Sequence, residues 1–336
     1  MTVSNLAIPK MKAIAQSDYG SPDVLKLVEV DRPVVLENTV LVKVCATAVH
    51  AGDWHLMRGT PFLIRLIYGG LWKPKIKILG TDMAGEVAVV GKNVTLFQPG
   101  DRVFGDLSGC GFGAFAEYVC IPEPALALKP VNLTFEEAAT VPVSALAALQ
   151  GLRDCGQIHP GQRVLINGAG GGVGSFAVQI AKVLGAEVTA ICSEHKVEMV
   201  RSIGAERVFV RDAIKSQLNK NYYDLVLDTA AYNSIFDYLP LLKPQGRYIL
   251  VGGSTARLFG VMLFGAGISQ ITNRQVKCLI SEPNPKDLMV LRDWLEAEQI
   301  RPHIDRCYPL REIPAAIRYL EQGQVKGKVA IRVADC

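Results

Sequence analysis

The sequence predicts an α/β protein in two parts, a β-rich barrel-like part and a doubly wound parallel sheet. Three observations lead there. The chain has 336 residues, more than one ordinary core accommodates. Up to about residue 130, short β-branched segments alternate with glycine and proline turns. From about residue 134, apolar strands alternate with helix-forming stretches, and a glycine-rich loop joins one such strand to one such helix.

The elements follow in order. "TVLVKVCATAV" (39–49) and "MAGEVAVVG" (83–91) are β-branched strands, and "QPGDRVFG" (98–105) sets a Pro-Gly turn before another. "TFEEAATVPVSALAALQGL" opens with Thr134 and two acids, an N-cap pattern, and runs on as a helix. Strands are expected at 163–168, 187–193, 223–229 and 246–253, with helices at 174–185 and 196–204. "ARLFGVMLFGAGI" (256–268) is expected as an apolar loop, and "RQVKCLIS" (274–281) as an edge strand. From "DLMVLRDWLEAEQI" onward come two amphipathic helices and a closing strand, "KVAIRV" (328–333), which should return to the first part.

Composition excludes several classes. Hydrophobic residues make up 49% and charged residues 20%, a globular balance. A net charge of +4 without a long basic run argues against nucleic acid. "MTVSNLAIPKMK" lacks the apolar core of a secretory signal, and the longest apolar run, Leu258 to Ile268, is too short to span a bilayer. Eight cysteines without a C-x-x-C pair suit a cytoplasmic chain with reduced thiols.

"NGAGGGVGS" (167–175) carries the sharpest signal. Ala169-x-Gly171-x-x-Gly174 reads as G-x-G-x-x-G with alanine first, in the strand–loop–helix context of a dinucleotide site. Gly170, Gly171, Gly172 and Val173 form the loop. Gly171 would let a pyrophosphate approach the backbone, and Gly174 would let helix pack on strand. The helix N-terminus would then face the phosphates. The next strand ends in Ile191 and Cys192, where NAD-type sites place an acid. Ser193, Lys196 and Arg211 follow, and a hydroxyl with two cations suits a 2′-phosphate. The reading is NADP(H), with Glu194 the dissenting residue and a solvated Lys196 the plainer alternative.

"GTDMAGEVAVVGKNVTLFQPGDRVFG", "GAFAEYV", "AATVPVSALAALQGL" and "NGAGGGVGSFAVQIAK" occur in the order and spacing of a known family. The chain resembles the medium-chain dehydrogenase/reductase superfamily over essentially its whole length. Within it, the chain is similar to the zinc-free quinone oxidoreductase branch, which includes enone and alkenal reductases. The resemblance implies a GroES-like β-barrel domain at 1–132 and 283–336, with a Rossmann NADP-binding domain at 133–282. It implies hydride transfer from NADPH to a quinone or an activated C=C bond, with the coenzyme between the domains. It also places Ser144, Val251 and Gly252 beside the coenzyme, and Ser193 and Lys196 at its 2′-phosphate. Arg211 stands where several relatives carry a tyrosine.

"HAGDWH" (50–55) remains to be placed. Zinc alcohol dehydrogenases of the superfamily carry cysteine at position 50 and Gly-His-Glu at 80–82. Here His50 precedes Gly80-Thr81-Asp82, and the four-cysteine lobe is missing, so no metal is expected. The quinone reductases usually have asparagine at position 50, and some have tyrosine near the nicotinamide at position 55. His50 and His55 are the candidate catalytic residues, since histidine donates protons near neutral pH. The plainer alternative is hydrogen bonding within the cleft wall. Asp53 is expected to order the backbone as a turn residue.

"TPFLIRLIYGGLWKPKIKILG" (60–80) is apolar and aromatic, with interleaved lysines. With 256–268 it is expected at the cleft mouth. It would form a pocket for a small hydrophobic carbonyl or quinone, a membrane-skimming face, or a packed interface. The superfamily commonly forms dimers through the edge strand. Two other functions stay open: a zinc-type alcohol dehydrogenase and a non-catalytic NADPH-binding protein.

Overall fold

The computed structural model describes residues 9–68, 70–211, 217–253, 255–334 and 336. Residues 1–8 of the leader reading, and Gly69 of the apolar segment, lie outside them.

The second half builds a six-stranded parallel sheet. Its spatial order is Arg207–Val210, Glu187–Cys192, Arg163–Asn167, Tyr223–Asp228, Leu242–Leu250, Gln275–Cys278. Chain order reverses on either side of Arg163–Asn167, which pairs with both Glu187–Cys192 and Tyr223–Asp228. That reversal opens a crevice at the carboxyl ends of the strands. The central strands are mainly apolar in their buried stretches because both faces are covered. The edge strand expected within 274–281 is Gln275–Cys278.

The first half builds a seven-stranded sheet around the long strand Thr39–Val49, which pairs with three partners. The closing strand Lys328–Arg332 pairs antiparallel with it, so the tail returns as expected. No ladder joins the two ends of this sheet among the described residues.

The helix begun by Thr134 is two helices. Thr134 and Glu137 close a capping box over Phe135–Ala139. Pro142 cannot continue that helix, and it starts a new one, Pro142–Gln150, at the first-turn position. A π-helical turn, Gly151–Cys155, follows. Pro142–Gln150 is buried on nearly every face, because it packs against strands of the first sheet and against the helix Gly172–Val183 of the second half.

Two expectations need correction. The segment 256–268 is no loop but part of a helix, Thr255–Thr272. It holds no proline, and Gly265 is a packing residue: a Cβ there would come within 3.2 Å of the Val276 carbonyl oxygen. The thiols are not all reduced, because Cys45 and Cys336 form a disulfide with Cα atoms 5.9 Å apart. The pairing of Lys328–Arg332 with Thr39–Val49 carries the chain end to Cys45, and the backbone N–H of Val333 donates to the Cys45 carbonyl at 2.9 Å. A contact across 291 residues leaves no mark in local spacing.

Alkylation of the unfolded, unreduced chain should therefore label the six free cysteines, and all eight after reduction. Mass spectrometry reading eight labels before reduction would reject the disulfide.

Candidate active site

A cavity of about 740 Å³ lies over the crevice. Its floor is the glycine loop. Gly168 has φ +82°, and a Cβ there would strike Thr229 Oγ1 at 2.5 Å. A Cβ on Gly174 would lie 2.1 Å from the Gly168 carbonyl oxygen, so helix and strand meet only because this residue is glycine. Gly171 differs, since its nearest neighbour would be 3.4 Å away. Gly171 is the N-cap of Gly172–Val183, whose first N–H groups lack intrahelical partners. An open backbone position at a helix N-terminus is a cradle for a phosphate.

Gly170, Gly171, Gly172 and Val173 line the cavity, whereas Ala169 is fully buried and Gly174 is packing. Ser193, Lys196 and Arg211 stand together at one end. Arg211 donates to Ser193 Oγ at 3.1 Å and stacks 3.6 Å over the Tyr232 ring. Lys196 lays its stem against Gly170 and donates from Nζ to the Gly323 carbonyl at 3.2 Å. Burial lowers the Lys196 pKa, as an unneutralised ammonium in a pocket requires. A hydroxyl and two cations beside a phosphate cradle fit a nucleotide that carries an additional phosphate. At the sheet's far side the lining residue is Gly253, while Val251 packs on the core beneath. Gly252 is not among the lining residues.

His50, Trp54, His55, Ser144 and Lys328 line the other end. His50 is the N-cap of the helix Ala51–Arg58. Its Nδ1 accepts from Gly52 N–H at 3.0 Å, which leaves the proton on Nε2, hydrogen-bonded to Thr81 Oγ1. Glycine at 52 lets the imidazole fold over the first turn, because a Cβ would meet its ring at 2.7 Å. Asp53 completes the capping box by accepting His50 N–H at 2.9 Å. It therefore orders a helix start rather than a turn. Asp53 is fully buried, and that burial raises its carboxyl pKa.

His55 is placed differently. Its Nδ1 donates to the Thr60 carbonyl at 2.9 Å, and its ring stacks on Trp54 with centroids 3.7 Å apart. Nε2 has no protein partner among the described residues. Burial lowers the His55 pKa below its ordinary 6.5. At neutral pH the ring offers a free Nε2 lone pair to the cavity.

Sequence reasoning missed Lys328. Its Nζ is buried and donates to Asp82 Oδ2 and to Ser144 Oγ, both at 3.0 Å. The other Asp82 oxygen accepts the Val143 N–H at 2.7 Å. Nothing local marks a lysine at the start of a strand as buried. The segments 60–80 and 256–268 contribute one residue, Arg257, to the cavity. Their apolar side chains divide between the cores, as for Leu79 and Val261, and the surface, with Trp72 85% and Leu263 72% exposed.

Residues 36–131 match the family model of the alcohol dehydrogenase GroES-like domain, and residues 203–331 match that of a zinc-binding dehydrogenase. The 2-methylene-furan-3-one reductase of Solanum lycopersicum is 33% identical, over 98% of this chain and 81% of its own length. The chloroplastic NADPH-dependent alkenal/one oxidoreductase of Arabidopsis thaliana is 32% identical, over 98% and 81%. The solved quinone oxidoreductase of Coxiella burnetii superposes with a TM-score of 0.86 at 28% identity, over 97% of this chain and all of that one. The glycine cradle in a crevice between two folded halves defines a dehydrogenase/reductase, and the chain belongs to the medium-chain superfamily of these. Within that superfamily it falls in the quinone oxidoreductase-like branch.

Lys328→Met should destabilise the protein by about 3–5 kcal/mol, because it strands a buried carboxylate. Asp82→Leu combined with Lys328→Met should recover most of that loss. Urea denaturation measures both, and additive losses would reject the coupling.

Proposed function

We propose that the protein transfers hydride from NADPH to a quinone, or to the activated C=C bond of an enone or alkenal, without zinc. One observation carries the reading. A single cavity joins the phosphate cradle and its cations to the histidine wall, and no carboxylate lines it. Bound NADPH supplies the hydride. Ser193, Lys196 and Arg211 hold its 2′-phosphate, Gly170–Val173 its pyrophosphate, and Ser144 flanks its nicotinamide. Residues 133–282 act as the coenzyme domain, and 1–132 with 283–336 as the domain that closes over the acceptor.

Reduction leaves negative charge on the acceptor's carbonyl oxygen, and a proton must follow. His50 has both ring nitrogens engaged and holds the wall. His55 presents Nε2 and is the proposed proton donor in its protonated form. Zinc is excluded from the reading by the donor set. Thr81 is a poor ligand, His50 is occupied, and Asp82 is bound to Lys328. Without a metal to polarise a carbonyl, simple alcohols and ketones should be poor substrates.

The same proposal extends to assembly and location. A homodimer would join Gln275–Cys278 edges, flanked by the apolar helix Thr255–Thr272. The exposed face with Phe62, Leu66, Ile67 and Trp72, bordered by Lys73, Lys75 and Lys77, suits peripheral contact with a membrane. No helix among the described residues is long and apolar enough to cross one. A cytoplasmic site is proposed, although the alkenal/one oxidoreductase relative is named chloroplastic.

NADPH consumption against a panel of quinones, enones and simple alcohols tests the reading, and ethanol oxidation rivalling enone reduction would reject it. Coenzyme titration should show NADPH bound more tightly than NADH. Lys196→Ala and Arg211→Ala should each weaken NADPH about 10- to 100-fold and barely alter NADH. Equal wild-type affinities would overturn the 2′-phosphate assignment.

With an enone, kcat should fall as pH rises, along a titration centred below 6.5, because burial lowers the His55 pKa. His55→Gln should remove that titration and lower kcat by about 10²–10⁴-fold. Quinones, which take protons readily from water, should lose less. An unchanged enone kcat would reject the donor role.

A further inference from the structure

The cavity is lined by four cationic side chains, Lys196, Arg211, Arg257 and Lys328, and by no Asp or Glu. Three of them are accounted for. Arg211 is held by Ser193 and Tyr232, Lys196 by the Gly323 carbonyl, and Lys328 by Asp82. Arg257 has no hydrogen bond or ion pair with any described residue, and its Nη1 is buried without a partner. Asp228, the buried carboxylate beneath the Ala230–Ala231 loop, is engaged with other partners. It already accepts from Asn167 Nδ2, Ala230 N–H, Ala231 N–H and Tyr248 OH. A guanidinium does not deprotonate in a protein, so Arg257 keeps a full positive charge at the cavity wall with no ion pair among the described residues, and an anionic oxygen group would be drawn to it.

The sheet order says which molecule brings that group. Ser193 and Lys196 follow the strand Glu187–Cys192, and Arg211 follows Arg207–Val210. The phosphate cradle follows Arg163–Asn167. Arg257 lies in the helix after Leu242–Leu250, two strands beyond the cradle and on the side opposite the 2′-phosphate cations. A dinucleotide laid from Ser193 across Gly171 has spent all its phosphates before it reaches that side, where it presents only the nicotinamide ribose and its ring.

We propose that Arg257 binds a carboxylate carried by the substrate, so that the preferred acceptor is a conjugated carbonyl bearing an acidic tail. The proposal rests on the reductase reading of the same cavity. The planar carboxylate suits the two-pronged guanidinium, and partial burial of the arginine at the wall limits the water that would otherwise screen the pair.

The test uses the full chain and a conjugated methyl ketone whose β-carbon carries a saturated acid, from acetate to hexanoate in length. The matching methyl esters are the controls. At the best tether the acid should have a KM about 10- to 100-fold below its ester, with similar kcat. Arg257→Met should abolish the difference by raising KM for the acid alone, and Arg257→Lys should retain part of it. NADPH affinity, read by fluorescence titration, should not change in either variant. Calorimetric titration of the NADP⁺-loaded protein with the saturated acid should show binding that Arg257→Met removes. If no acceptor in the series consumes NADPH but this binding persists, the reductase reading fails and the anion site stands. Acid and ester equal across the whole series, with no binding of the saturated acid, would overturn the proposal. So would an Arg257→Met variant that loses NADPH affinity and keeps the acid preference.

Discussion

Asp82 and Lys328 are buried against each other, 246 positions apart in the chain. Taking two such charges out of water costs several kcal/mol each, and their attraction offsets this only with good geometry and further hydrogen bonds. Val143 N–H and Ser144 Oγ supply those bonds from the helix Pro142–Gln150. Three distant segments must therefore arrive together: the strand Asp82–Val90, the start of the buried helix, and the returning strand Lys328–Arg332. An apolar trio could pack there in several ways, while an ion pair tolerates one. The pair joins two strands of the first sheet to the helix Pro142–Gln150, which packs on the helix Gly172–Val183 of the second half.

The geometry of the cavity inherits that constraint. A Cβ on Gly172 would meet Lys328 Cδ at 2.9 Å and Ser144 Oγ at 3.2 Å, so the cradle and the lysine stem are packed together. Gly327 N–H donates to the Gly170 carbonyl at 3.0 Å, tying the returning strand to the same loop. Thr81, next to Asp82, holds His50, and His50 caps the helix that presents His55. A displacement at the pair thus reaches both the phosphate end and the histidine end of one cavity.

What was legible in the sequence is what depends on neighbours in sequence. The glycine loop showed itself because turn, cradle and helix start need small residues at fixed offsets. The Thr134 capping box and the alternating strands showed themselves for the same reason. Lys328 did not, because its partners lie in other segments, and a buried lysine looks like an exposed one until they are known. The disulfide was hidden likewise, as its cysteines meet only through the pairing of two strands. His50 and His55 looked equivalent in "HAGDWH", yet one is consumed as a helix cap and the other keeps a free nitrogen. The helix Thr255–Thr272 was hidden by its three glycines, which suggest a loop, although only Gly265 packs on the neighbouring strand.

The sign of the cavity's charge bears on the chemistry directly. Under the reductase reading, hydride transfer converts a neutral acceptor into an anion within a partly enclosed space. Groups arranged in advance around developing charge are worth more there than in water, since they need not reorganise. A carboxylate in the lining would oppose that charge at every step. Asp82, a buried carboxylate that adjoins the wall, is neutralised by Lys328. The lysine's role is therefore double: it holds two halves of the fold in register and cancels the negative charge that would otherwise stand beside the reacting acceptor.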